Sequence, residues 1–229
     1  LCAVGTSLGF EVIIVMPDSM SQERITLMQA YGAKVVLTPG KQGMSGAIIK
    51  AEELAKDIPN SFIPSQFTNL SNPYAHELST APEIDEQMKG QIDIIVAGIG
   101  TGGTITGLGH YFKNKYPHIK IIGVEPYDSP LLSQGKSGPH QIQGIGANFV
   151  PEILDTQIYD EIITVQSDNA FETSRMLAKT EGILTGISSG AALYVSLQIA
   201  KKEENKDKNI VVILPDGGDR YLSTNLFKQ

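Results

Sequence analysis

The sequence predicts an α/β fold with mainly parallel strands. Short β-branched runs alternate with segments of helical period along the whole chain. Glycines close helical segments at Gly32 and Gly182, and one strand runs directly into a glycine-rich turn that opens a helix. Residues 1–8 carry no helix-start signal and run into Gly9, so they predict the middle of a helix. Strands are predicted at residues 11–16, 34–38, 92–97, 120–124, 161–165 and 209–214. Helical spacing predicts helices over 21–31, 45–57, 80–88, 103–114, 168–180 and 189–203. Thr80 and Glu83 have the spacing of a capping box, which would start the third of these helices at Thr80. The polar stretch SQFTNLSNP carries Pro73 and separates two βαβα runs, so a boundary between two domains, 1–69 and 70–229, is expected there.

Composition narrows the function. The chain has 229 residues, 41% hydrophobic and 19% charged, which suits a soluble globular protein. A formal net charge of -7 disfavours nucleic acid, because phosphate-backbone binding needs an excess of Lys and Arg. One cysteine, Cys2, cannot form an intramolecular disulfide, so a reducing compartment, the cytoplasm, is expected. No run of apolar residues reaches membrane-spanning length. His76, His110, His118 and His140 have no partners at triad or metal-ligand spacing, so they are assigned structural or surface roles and no metal is expected.

The chemistry concentrates in GIGTGGTITG, which follows the strand at 92–97. Gly100, Thr101, Gly102, Gly103 and Thr104 offer close-approaching amides, two hydroxyls and a helix N-terminus, a combination that seats a phosphate. Gly98, Gly100 and Gly103 also satisfy G-x-G-x-x-G, and Glu125 lies about twenty residues on, where a ribose-binding acid would sit. The turn alone therefore leaves a phosphate-bearing mononucleotide-type cofactor and NAD both open. A second aperiodic stretch, residues 127–154, contains SGPHQIQGIGANF, whose glycines suggest ordered backbone near a ligand.

Six segments, in order, break the tie by resemblance: VMPDSMSQERITLMQAYGAKVVLT, GIGTGGTITG, VEPYDSP, GPHQIQGIGANF, EGILTGISSGAAL and ILPDGGDRYLST. Together they are similar to the O-acetylserine sulfhydrylase (cysteine synthase) family over nearly the whole chain. The resemblance implies the fold-type-II, tryptophan synthase β-like architecture of two three-layer α/β domains with mainly parallel sheets. Residues 1–69 would be part of the small substrate-side domain and 70–229 the large cofactor-binding domain. It implies a pyridoxal 5'-phosphate-dependent transferase that eliminates acetate from O-acetylserine and adds sulfide to give cysteine. In that family the glycine turn holds the cofactor phosphate, here residues 100–104. Ser188 matches the group that hydrogen-bonds the pyridine nitrogen. A neutral hydroxyl there draws electrons less strongly than an aspartate would, which suits β-elimination. Read from sequence alone, Ser188 and Ser189 could equally cap a helix over 191–203. Gln66 matches a residue near the substrate carboxylate, and Gly144 to Ala147 a loop lining the substrate cleft, although Gln66 could be a hinge residue and the glycines simple turns. Asp216 could face the cofactor ring or cap the turn that follows it, and no role is assigned to it.

Against the family pattern, neither the motif carrying the Schiff-base lysine nor the TSGNTG-type substrate loop has a counterpart in these residues. The resemblance places both upstream of Leu1, so the 229 residues are expected to be an N-terminally truncated part of the enzyme and inactive alone. It also implies a homodimer, with serine acetyltransferase as a partner. Alternatives are a cystathionine β-synthase-type or O-phosphoserine-using β-replacement enzyme, a non-catalytic binding module, and the NAD-dependent dehydrogenase that the glycine spacing suggests.

Overall fold

A computed structural model describes residues 1–228. Its contacts form two units, one from Leu1–Pro64 with the C-terminal segment from Asp219, the other from Ser65–Gly218. The first unit contains α1 (Cys2–Ser7), β1 (Ile13–Pro17), α2 (Gln22–Ala30), β2 (Lys34–Thr38) and α3 (Gly43–Asp57). β1 and β2 run parallel, with Ile13 opposite Lys34, around a small core of Cys2, Val12 and Ala33. Ser21 and Tyr31 flank α2, and Gly32 follows it at φ 86°, a conformation that stops a helix with no Cβ strain. The C-terminal segment closes this unit. Tyr221 is fully buried, with the Arg24 guanidinium 5.1 Å from its ring centre, and Glu23 accepts both the Ser223 amide (2.6 Å) and its hydroxyl (2.7 Å).

The second unit opens with a helix that sequence reasoning placed nine residues too late. It comprises α4 (Ser71–Ala75), a π-helical turn (His76–Thr80) and α5 (Ala81–Met88). Pro73 reads as a breaker in sequence, yet it stands in the first turn, where its missing N–H would be unpaired anyway. Asn69 Oδ1 accepts the Ser71 amide at 2.9 Å and so stabilises the start. Pro82 cannot donate to the turn before it, and the wider π turn lies immediately ahead of it. The expected capping box is therefore absent: Thr80 is helical (φ -61°, ψ -44°), and its hydroxyl pairs with His76 Nδ1 at 3.0 Å. The second compact unit starts at Ser65, because residues 65–70 bond into the helix and its loop, and the segment from Asp219 belongs to the first unit.

Next come β3 (Ile94–Gly98), α6 (Gly103–Lys115), β4 (Lys120–Pro126), α7 (Leu131–Gln134), β5 (Glu161–Val165), α8 (Ser167–Glu181), α9 (Ile187–Ala200) and β6 (Ile210–Val212). The four strands form one parallel sheet in the order β5-β4-β3-β6. β3 and β4 lie inside it and read as near-continuous apolar runs, as strands covered on both faces do. The core beneath them includes Ile92, Ile95, Leu108, Phe112 and Ile121. From β3 the chain passes to β4 on one side, whereas β6 returns on the other. The carboxyl end of β3 is thus a switch point of the kind where open α/β sheets bind ligands. No helix among the described residues is long and apolar enough to cross a membrane.

Asp85, 6% exposed, ties α5 to α6 by accepting Lys115 Nζ (2.5 Å), Tyr111 Oη (2.8 Å) and Tyr116 Oη (3.1 Å). The Lys115 ammonium, helped by the two phenols, holds this carboxyl below the usual carboxylate range. Its stabilisation is present above the unfolded carboxylate pKa and is lost as pH falls through the lower folded value. Asp85→Asn is expected to lower Tm at pH 7, by roughly 2–4 °C for each kcal/mol lost, and to remove part of the acid-side decline. Melting curves from pH 7 to 3 check it; an unchanged acid limb would be the contrary result.

Candidate functional site

At the end of β3 the backbone turns through residues 98–103 into α6, with Gly102 at φ 84°, where a side chain would be strained. The amides of Gly100, Thr101, Gly102, Thr104 and Ile105 find no acceptor among the described residues, and that of Gly103 reaches only Thr101 Oγ1 at 3.3 Å. Gly102, Gly103 and Ile105 are buried. Orphan amides of a first helical turn, partly withdrawn from water and reinforced by the positive end of α6, are donors that lack an anion. No acidic residue occupies that first turn, and Lys113 and Lys115 stand in the last one, so side chains leave the field at the N-terminus uncancelled.

The glycines are there for close approach of the chain's own segments. A Cβ on Gly100 would run into the carbonyl of Gly144, one on Gly103 into the Asn72 amide, and one on Gly98 to 2.7 Å from Ile145 Cγ2. Gly146 donates its amide to Ile99 O at 3.0 Å, which fixes the loop carrying Gly144 against the turn. Inside that loop, His140 Nε2 pairs with Gly146 O at 2.9 Å and Ser129 Oγ with Asn148 Oδ1 at 2.7 Å. The glycine-bearing stretch is thus tied together by its own polar groups. Ala147 lines a cleft with Ile99, Gly100 and Gly146.

Ser188 stands in the first turn of α9, whose N-cap is Gly186, so it does not cap that helix. It is 3% exposed, makes no side-chain hydrogen bond among the described residues, and its Oγ would lie 3.2 Å from a Cβ on Gly144. Ser189 takes the other course: its hydroxyl donates to Asp216 O (3.3 Å), which also accepts the Gly186 amide (3.0 Å). Gln66 is an exposed turn residue, not a strand end, joined to the glycine turn through its backbone. Asn72 Nδ2 donates to Gln66 O (2.9 Å) and to Thr101 Oγ1 (3.1 Å). The second unit thus brings residues 100–104, Gly144, Ala147, Ser188 and the Gln66 backbone into one neighbourhood.

Two residues of this neighbourhood escaped sequence reasoning, Asn72 and His76. His76 Nε2 lies 3.2 Å from Thr104 Oγ1, and burial holds its imidazole below the usual range, hence neutral at pH 7. Neither residue carries a motif; only the unforeseen helix from Ser71 turns both, one turn apart, onto the glycine turn.

Glu125 removes the dinucleotide reading. It is 2% exposed, and its carboxylate is consumed by the start of α7, accepting the amides of Leu132 (2.8 Å) and Ser133 (3.0 Å) and the Ser133 hydroxyl (2.5 Å). Nothing of it is left for a ribose, and the space above Gly100, which a pyrophosphate would need, is filled by Gly144.

Comparison with known proteins agrees with a phosphate-bearing cofactor of another kind. Residues 1–216 match the model of the pyridoxal-phosphate dependent enzyme family. The cysteine synthase of Staphylococcus aureus (strain Mu50 / ATCC 700699) is 52% identical over 228 residues, covering 99% of this chain and 73% of that protein. The crystal structure of a cysteine synthase from Entamoeba histolytica superposes with a TM-score of 0.93 at 45% identity, covering 100% of this chain and 68% of the other. An O-acetylserine dependent cystathionine β-synthase from Helicobacter pylori does so with a TM-score of 0.92 at 41% identity, covering 100% and 74%. The fold is accordingly that of the fold-type-II enzymes, with parallel sheets in both units. The orphan amides at residues 100–105 suit the phosphate that such a cofactor carries, and by the family match this chain belongs to the pyridoxal-phosphate dependent enzymes.

Proposed function

We propose that this chain serves cysteine synthesis, the β-replacement of the acetoxy group of O-acetylserine by sulfide. The observation that carries the reading is the set of unpaired amides of Gly100, Thr101, Gly102, Thr104 and Ile105 beside the loop of Gly144 and the free hydroxyl of Ser188. In this reading the amides of Gly100, Thr101, Gly102 and Thr104 and the hydroxyls of Thr101 and Thr104 bind the cofactor phosphate, Gly103, its amide on Thr101 Oγ1, completes the turn, and the α6 N-terminus balances the charge. Ser188 hydrogen-bonds the pyridine nitrogen as a neutral partner. Gly144 and Ala147 form one wall of the substrate cleft, and Gln66 orients the substrate carboxylate. When bound, pyridoxal phosphate supplies the electron sink for carbanion chemistry at the amino-acid α-carbon. The amine that receives the cofactor carbonyl is assigned to no residue of this chain, so the 229 residues alone are expected to bind the phosphate without turnover.

The similarity to both cysteine synthases and a cystathionine β-synthase keeps a second reading specific: another activated serine, or a thiol in place of sulfide. A protein that joins these residues to a segment carrying the Schiff-base lysine, loaded with its cofactor and offered sulfide and O-acetylserine, O-phosphoserine or serine, and in parallel homocysteine, separates the two. Cysteine formation at least tenfold faster from O-acetylserine is expected; preference for another donor, or for homocysteine, overturns the assignment. The homodimer, the cytoplasmic setting and serine acetyltransferase as partner belong to the same reading. Sedimentation and co-purification with serine acetyltransferase test the two associations.

A further inference from the structure

Asn72 and His76 sit one turn apart on the helix that begins at Ser71, and each meets one threonine of the glycine turn. Thr101 Oγ1 accepts twice, from Asn72 Nδ2 at 3.1 Å and from the Gly103 amide at 3.3 Å. A hydroxyl has two lone pairs and one proton, so with both lone pairs engaged it can only donate further. Thr104 Oγ1 meets His76 Nε2 at 3.2 Å, and His76 Nδ1 meets Thr80 Oγ1 at 3.0 Å. With the imidazole proton on Nε2, the chain of donors runs Thr80 hydroxyl to Nδ1, Nε2 to Thr104 Oγ1, and the Thr104 proton outward. We infer that Asn72 and His76 are positioning residues that polarise the Thr101 and Thr104 hydroxyls, so that both donate to the bound phosphate. The inference rests on the phosphate reading of residues 100–104 given above.

Several features support it. The neutral state of His76 that burial favours is the one able to accept on Nδ1 while donating from Nε2. A phosphate dianion offers only acceptors, so a threonine whose proton is turned away from it would present a lone pair and repel it. Asn72 also spends its second N–H on Gln66 O (2.9 Å), which leaves no alternative donor geometry for its amide and ties the Gln66 segment to the same turn. The contact is tight, since the Asn72 amide fills the space beside the Gly103 Cα.

The test uses the quench of tyrosine fluorescence, undisturbed by tryptophan because the chain has none. Dissociation constants for pyridoxal phosphate and for pyridoxal are measured on wild type, Asn72→Asp, His76→Leu and His76→Gln, with circular dichroism as the check on folding. The ratio of the two constants is the readout, because a general distortion weakens both ligands alike. Asn72→Asp and His76→Leu should lose about tenfold in pyridoxal phosphate affinity while pyridoxal is unaffected. His76→Gln, whose amide can donate in place of Nε2, should stay within about threefold of wild type. Equal losses for both ligands, or His76→Gln behaving as His76→Leu, would overturn the inference while leaving the phosphate reading intact. Wild type that binds both ligands equally, with inorganic phosphate unable to compete, would sink the phosphate reading and this one with it.

Discussion

Gly107→Ala is expected to destabilise the second unit by about 1–3 kcal/mol, the range for overpacking a closed contact. A Cβ there would strike the Pro73 carbonyl and approach His76 Cβ to 2.8 Å and the Glu77 amide to 3.0 Å. Two of these obstacles are backbone, so relief requires α6 to part from the helix that begins at Ser71. Because that helix carries Asn72 and His76, phosphate affinity should fall together with Tm. Gly109→Ala is the natural comparison, since the atoms nearest the new Cβ belong to the Ile158 side chain and none of them to backbone. Denaturant melts of the two variants should rank them in that order, and a neutral Gly107→Ala would mean that the two helices are not held as closely as described.

Gly100→Ala should leave the fold largely intact and lower pyridoxal phosphate affinity by about 10–100-fold, the equivalent of one or two lost hydrogen bonds to a charged group. Its Cβ would collide with the Gly144 carbonyl, and the loop would have to swing away from the turn, breaking the Gly146 amide bond to Ile99 O. Ser188 and Ala147 would then no longer share one wall with residues 100–104. The neighbouring Gly98→Ala offers a graded control, because its obstacle is the Cγ2 methyl of Ile145, a side-chain group and not backbone. Equilibrium binding of the two variants distinguishes them; equal affinities would show that the loop is not fixed by Gly100.

Most of the architecture was legible because it is written locally. β-branched runs between helical segments located all six strands, and β2 and β5 occupy the predicted residues. Gly32 and Gly182 marked helix ends because each sits at positive φ, where other residues are strained. What failed was decided at a distance. The helix from Ser71 hides behind a polar, proline-bearing stretch, and its stability comes from packing on α6, which no local pattern announces. The same failure concealed Asn72 and His76. Glu125 shows the converse: its spacing from the glycines fits a ribose-binding acid, and only the amides of α7 seven and eight residues later reveal what its carboxylate serves. Ser188 stands two residues further into its helix than a capping role requires, because the helix begins at Ile187.

The bonds from Glu23 to Ser223 join residues 200 positions apart. Residues 1–64 therefore lack the buried Tyr221 and Leu226 until the segment from Asp219 has been synthesised. At 5–20 residues per second, that wait is on the order of 10–40 s. During translation residues 65–218 can fold earlier than residues 1–64, so a nascent chain arrested before Asp219 should display protease-resistant residues 65–218 and cleavable residues 1–64.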